Sequence, residues 1–132
     1  KKIIKNSIKI FDNLGTSKKD LLVAIGPSIS KNYYLIDKKT AQEFHKKAYY
    51  QKQITPSDKK NNLLISKNPN KFKKNELISL DLKKYAHIQL LNESIPETNI
   101  DISKLCTYES NYDFFSWRRS KTLLRQWSFI ST

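Results

Sequence analysis

No methionine occurs among the 132 residues, and only one cysteine, two glycines and four prolines do. A lone cysteine, Cys106, closes no internal disulfide, so the default compartment is the reducing cytoplasm and the core must hold by burial alone. Gly and Pro are too sparse for a linker or a disordered tail. No apolar run approaches the ~20 residues that cross a bilayer, and the first residues form no signal peptide. Acidic residues are also scarce: 12 against 25 basic ones leave a net charge of +13. Such a balance suits nucleic acid or an anionic surface. Yet the lysines come as scattered pairs, Lys18-Lys19, Lys38-Lys39 and Lys73-Lys74 among them, whereas nucleic-acid sites are marked by clustering. Arginine is the last scarcity. Arg118, Arg119 and Arg125 are the whole complement, and every other basic residue is lysine.

What is present supports one domain, or part of one, able to bury roughly two thirds of its unfolded surface. Ile4, Ile8, Phe11 and Leu14 share one helical face, and Gly15 ends that helix. No cap residue precedes it, so the chain opens inside a helix and reads as part of something longer. Residues 20–26 (DLLVAIG) are apolar without alternation, which predicts a strand covered on both faces. A Gly26-Pro27-Ser28 turn follows, then a short strand over 33–36 and a helix from Asp37 to about Lys47, with Ala41, Phe44 and Ala48 inward. Residues 51–75 are polar, rich in Lys and Asn, and broken by Pro56 and Pro69; they read as an insertion or a lid around a short apolar piece at 63–65. Residues 80–92 return to helical spacing through Leu80, Tyr85, Ile88 and Leu91. Strands are expected at 100–107 and at 125–130. The pattern is a mixed α and β domain with a layered core.

The stretch from Cys106 to Trp127 (CTYESNYDFFSWRRSKTLLRQW) holds all the arginines and both tryptophans. Arginine presents a planar fork of donors that fits phosphate or carboxylate and stacks on aromatic rings, which lysine does poorly. Arg118 and Arg119, with Ser116 as a hydroxyl donor, are therefore candidate anion contacts; the competing reading is a structural anchor for the end of the chain. Gly26 and Ser28 end a strand, where ligands of α/β sheets gather, or else form a plain tight turn. Cys106 has no His near it in sequence and reads as a buried small apolar residue. His45 and His87 stand at no metal-binding spacing and read as surface histidines. Asp81 suits a helix start, and Asp113 an ion pair with a neighbouring arginine.

Two segments resemble the laccase-domain family, also described as multicopper polyphenol oxidases and as YfiH-type purine nucleoside phosphorylases. LLVAIGPSIS followed by NYYLI is similar to the family's strand, its Gly-Pro-x-Ile turn and the aromatic strand after it. CTY, FFSWRR and RQWSFI are similar to its Cys-Thr-Tyr, Phe-Phe-Ser-Tyr-Arg-Arg and closing strand. Trp117 stands where Tyr is usual, and the Gly that often follows the Arg pair is missing before Arg125. Ser79-Leu80-Asp81-Leu82 resembles the family's Leu-Asp-Leu helix entry. The resemblance runs over the whole chain but only the C-terminal half of the family's length. It implies an α+β fold, mixed sheets between helical layers in an α/β/β/α-like order, with 1–132 as the C-terminal portion of one laccase-like domain.

The resemblance also implies phosphorolysis of purine nucleosides and deamination of adenosine. Older labels for the family are copper-dependent polyphenol oxidation and the editing of peptidoglycan precursors. Family members hold zinc or copper through one Cys and two His, in Gln-Val-His-Gly, Thr-Ala-Asp-Cys and His-Ala-Gly-Trp-Arg-Gly segments. None of these segments is present in this chain, and Cys106 belongs to a different motif. The expectation is a cytoplasmic enzyme portion whose partners are a purine nucleoside, phosphate and the missing N-terminal half, with no membrane and no nucleic acid, and which is inactive alone. Two alternatives stay open: a non-catalytic basic module that stacks single-stranded nucleic acid on Trp117 and Trp127, and a degenerate structural paralogue.

Overall fold

The computed structural model describes residues 2–50, 77–110 and 113–127 together with Phe129; side chains are described for these except 45–50. The polar segment at 51–75 lies outside the described residues. Elements follow in the order α1 (Ile3–Asn13), β1 (Val23–Ile25), β2 (Leu35–Ile36), α2 (Lys38–Tyr50), β3 (Ile78–Ser79), α3 (Leu82–Asn92), a 3-10 turn (Glu97–Asn99), β4 (Ile100–Ile102) and α4 (Trp117–Ser120). β1 and β4 pair in parallel, Val23 opposite Ile100 and Ile25 opposite Ile102. β2 and β3 pair antiparallel, Ile36 opposite Ile78. The fold class is α+β.

Helix ends follow local chemistry. Asp37 caps α2 by accepting from the Thr40 N–H at 2.9 Å and its hydroxyl at 2.8 Å. Those two bonds hold the Asp37 carboxyl below its usual range. Asp81 caps α3 by accepting from the Lys84 N–H at 3.0 Å. α1 closes with Gly15 at φ 84°, while Thr16 N–H reaches the Phe11 carbonyl and Gly15 N–H that of Asp12. This is the paired Schellman closure, in which a left-handed residue satisfies two orphan carbonyls.

α3 ends the same way without a glycine. Ser94 takes φ 67°, Ile95 N–H bonds to the Leu90 carbonyl and Ser94 N–H to that of Leu91. Ile95 and Leu90 then bury against each other in one apolar cluster, the contact that accompanies this motif. A left-handed L-residue costs roughly 1–2 kcal/mol. Ser94→Gly is therefore expected to stabilise the chain by about 1 kcal/mol, read as a higher midpoint in urea. An unchanged midpoint would show that the strain is relieved elsewhere.

Two clusters make the core. Ile36, Ala41, Ile78 and Leu80 form one, flanked by Tyr34, Phe44, Tyr85 and Ile88. Ile8, Leu90 and Ile95 form the other, flanked by Val23, Ile25 and Ile100. α3 lies between them and contributes to both, so it has no single apolar stripe. His87 is buried there, with Glu97 Oε1 3.8 Å from its Nε2; the expectation of a surface histidine is corrected. The expected α1 face is correct at Ile8, but Phe11 and Leu14 are exposed.

The strand expected at 20–26 shortens to β1, and its burial alternates. Leu22 is 82% exposed and Ala24 is exposed, so the far face of this parallel pair is bare. Of the strand expected at 100–107 only β4 forms, with Cys106 returning as an isolated bridge to Ser28. At the C-terminal end, 124–127 carry no strand and Trp127 is 77% exposed; no backbone partner reaches this stretch among the described residues. The short helix α4 had no signal in the periodicity, because a single turn shows none.

Candidate functional site

The parallel pair β1 and β4 continues past its last residues as two loops that stay in contact. Ser103 N–H donates to the Ile25 carbonyl at 2.9 Å and Thr107 N–H to that of Ser28 at 3.2 Å. From below, Lys83 on α3 ties the second loop down, its Nζ donating to the carbonyls of Ser103 and Leu105 at 2.6 Å each. The first loop is held in turn by Ser79 Oγ, which donates to the Lys31 carbonyl at 2.6 Å. Both loops thus stand on the carboxyl ends of a parallel strand pair, where open sheets place their ligands.

Cys106 lies where the loops meet. The parallel bridge puts it beside Ser28, and Ser30 N–H donates to its Sγ at 3.2 Å. The thiol is buried. Burial pushes its pKa up, but the Ser30 hydroxyl and N–H, with the N–H groups of Glu109 and Tyr108, hold it below the ordinary thiol value. In the resting arrangement the Ser30 hydroxyl completes no well-formed hydrogen bond, and neither does that of Ser28; both oxygens are buried without a partner. A hydroxyl rotor turns freely onto a sulfur once that sulfur is charged, which reconciles the two observations for Ser30.

Over this floor, the rings of Tyr33 and Tyr108 stack with centroids 4.5 Å apart and planes 16° from parallel. The Glu109 carboxylate beside Tyr33 raises the phenol above its usual pKa, by its charge first and by accepting the phenol's hydrogen bond. Tyr34, next in the chain, carries the Arg118 guanidinium 5.3 Å from its ring centroid. The structure therefore brings the Gly26–Ser28 turn and the Ser116–Arg119 stretch to one end of the molecule.

The two neighbouring arginines are used differently. Arg119 Nη1 donates to the carbonyls of Thr107 at 2.9 Å and Tyr108 at 2.7 Å, with a longer 3.5 Å contact to Ser110. Its Nη2 donates to the Phe114 carbonyl at 2.6 Å. One guanidinium thus pins the whole turn that carries Cys106, Tyr108 and Glu109. Arg118 is exposed, and among the described residues its donors carry no hydrogen bond or ion pair. A cation over an aromatic face is positioned without using its N–H groups, so the fork is left for a ligand.

Ser116 is buried at the start of α4, and its carbonyl accepts from Arg119 and Ser120 N–H groups. Gly26 is exposed. Asp113 is exposed and forms no ion pair among the described residues, so its expected pairing with arginine is not seen. The side chain of His45 lies outside the described residues. Tyr33, Tyr108, Glu109 and Ser30 were not singled out by sequence. Ser30, Tyr33 and Tyr108 lie inside the LLVAIGPSIS, NYYLI and CTY segments, but nothing along the chain joins residues that far apart.

Among the described residues no three His, Cys, Asp or Glu side chains gather into a set able to hold a metal ion. The one thiol is ringed by N–H donors, a setting that favours an anion and opposes a cation. The described residues do not fit a metal site. Nor is any described helix long and apolar enough to cross a membrane.

A family model described as multi-copper polyphenol oxidoreductase laccase matches residues 1–132. The chain belongs to this family. A purine nucleoside phosphorylase of Synechocystis is 32% identical over 132 residues, which covers 98% of this chain and 50% of that protein. A purine nucleoside phosphorylase of Bacteroides thetaiotaomicron is 25% identical over 114 residues, 85% of this chain and 36% of that protein. This laccase-family chain thus spans half the length, or less, of the curated relatives it matches. No solved structure matches it.

Proposed function

We propose that the chain is the C-terminal portion of a purine nucleoside phosphorylase that also deaminates adenosine, with 51–75 a polar insertion in the same domain. The observation that carries this reading is the 32% identity to a protein of that name over nearly the whole chain. In phosphorolysis a phosphate oxygen forms a bond to the anomeric carbon of the ribose. The bond from that carbon to the purine nitrogen breaks, and the base leaves with its electron pair and takes up a proton. A metal, zinc or copper, belongs in this proposal to the N-terminal half that completes the domain, and no step assigned here runs through it. The intact polypeptide is a cytoplasmic transferase and hydrolase.

The role proposed for this portion is to hold the anion and form one wall of the site. Arg118 is the phosphate contact, because its fork is uncommitted while that of Arg119 is occupied by carbonyls. Ser28 and Ser116 lie at the same end and supply hydroxyls, with Gly26 at the head of the turn beside Ser28. Arg118→Ala in the intact polypeptide is expected to lower kcat/KM for phosphate about 10- to 100-fold, the loss of one charge-assisted contact. Its melting temperature should stay where it is, since the side chain is exposed. Steady-state kinetics with varied phosphate reads the result, and unchanged constants in a folded variant would reject the role.

A further inference from the structure

The chain after Asp113 differs in kind from the rest. Residues 114–132 hold no acidic residue, against Arg118, Arg119, Lys121 and Arg125 and five aromatics, Phe114, Phe115, Trp117, Trp127 and Phe129. The lysines elsewhere are scattered, but this stretch gathers charge and rings together, the pairing that marks a nucleic-acid surface. Its last two rings are open, Trp127 at 77% and Phe129 at 88% exposed. They stand with planes 13° apart and centroids at 6.4 Å. Two flat faces held near parallel in solvent suit the successive bases of a single strand, which stack on aromatic side chains.

Two cations of the same stretch are held in place with donors to spare. Arg125 stands two residues before Trp127, so their backbones are within about 7 Å of each other. Its Nη1 donates to the Thr122 and Leu124 carbonyls at 3.0 Å each, which fixes the guanidinium; among the described residues its Nε and Nη2 have no partner. Lys121 ends α4 at φ 56°, its N–H donating to the Trp117 carbonyl at 2.9 Å. That left-handed backbone disfavours any side chain and would leave a glycine unstrained. The strained residue sets its ammonium 3.8 Å from the centroid of the Trp117 ring, and the ring holds the charge without occupying its N–H groups. Strain of this kind gathers where a residue serves more than folding.

We propose that this end of the chain binds single-stranded nucleic acid: bases stack on Trp127 and Phe129, while Lys121 and Arg125 meet the phosphates. The function stands apart from phosphorolysis, since neither ring is part of the anion site at Arg118. Stacking serves every base, because each has a flat π-face, so the surface reads no sequence. A duplex keeps its bases stacked on one another and offers the rings nothing. The net charge of +13 draws a strand in from a distance, and the gathered cations then hold it. An acidic protein would answer the same charge but gains nothing from parallel rings.

The test is fluorescence anisotropy of the intact polypeptide with four labelled probes. They are oligothymidylate of about 12 nucleotides, within the usual site range, an abasic strand and a duplex of that length, and polyglutamate. Oligothymidylate is expected to bind about 10-fold more tightly than the other three, the scale of one stacked base. Trp127→Ala should weaken it by about 10-fold and leave the abasic strand unchanged; the ring is exposed, so the fold survives its loss. Arg125→Gln should weaken both strands and lower the slope of log K against log salt by about 0.7, one phosphate contact fewer. Lys121→Gly should hold or raise the melting temperature, because the backbone strain goes, and still weaken the strand. No binding of oligothymidylate would mean that the rest of the polypeptide covers the rings, and the proposal would fall. It would fall equally if Trp127→Ala bound as the wild type does, or if the abasic strand bound as well as oligothymidylate. Polyglutamate held as tightly would assign the surface to an acidic protein instead.

Discussion

Arg119→Ala is expected to destabilise the chain by about 3 kcal/mol and to free the turn at 107–110. The guanidinium donates three short hydrogen bonds, to Thr107, Tyr108 and Phe114. Bonds to a charged group contribute about 1.5–3 kcal/mol each, and three from one side chain add less than their sum. Removal leaves partly buried carbonyls without a donor, which costs more than the lost attraction. Lysine should recover only part of the loss, since one ammonium cannot span carbonyls that a planar fork reaches from two nitrogens. Thermal unfolding gives the global number, and hydrogen exchange at 107–110 gives the local one. A variant that melts with the wild type and keeps its exchange protection would show that the turn holds itself, and the rigid footing of Tyr108 and Glu109 would lose its cause.

That turn also shows what the sequence makes legible. Arginine confined to one stretch marks the place, but acceptors that are backbone carbonyls leave no trace in residue identity, so the difference between Arg118 and Arg119 emerges only in three dimensions. Caps are the opposite case. Asp81 and Gly15 act within a few residues of themselves, and their roles follow from local chemistry. Ser94 performs the task of Gly15 without the residue type that would announce it. His87 was misread because α3 is wedged between two clusters, so a search for one stripe assigns its other side to solvent. The run at 20–26 predicts a strand covered on both faces, while only the face toward Ile8 and Leu90 is covered here.

Leu80→Ala carries the largest expected effect on the core, a loss of about 2–5 kcal/mol. Leu80 is 1% exposed and joins strands to helix: it packs with Ile36, Ala41 and Ile78, and its N–H donates to the Tyr34 carbonyl at 3.1 Å. Truncation opens a cavity among side chains drawn from β2, α2 and β3, elements with few alternative contacts in so short a sheet pair. Leu77, three residues earlier and 60% exposed, is the internal control; its alanine variant should stay within about 0.5 kcal/mol of wild type. Urea midpoints of the two variants make the comparison. Because Tyr34 both flanks this cluster and carries Arg118, the cavity should also loosen the arginine. The expected sign is a weaker response to phosphate in Leu80→Ala at temperatures where the variant is still folded. Full phosphate binding despite the lost stability would mean that the Arg118 position does not depend on the packing beneath Tyr34.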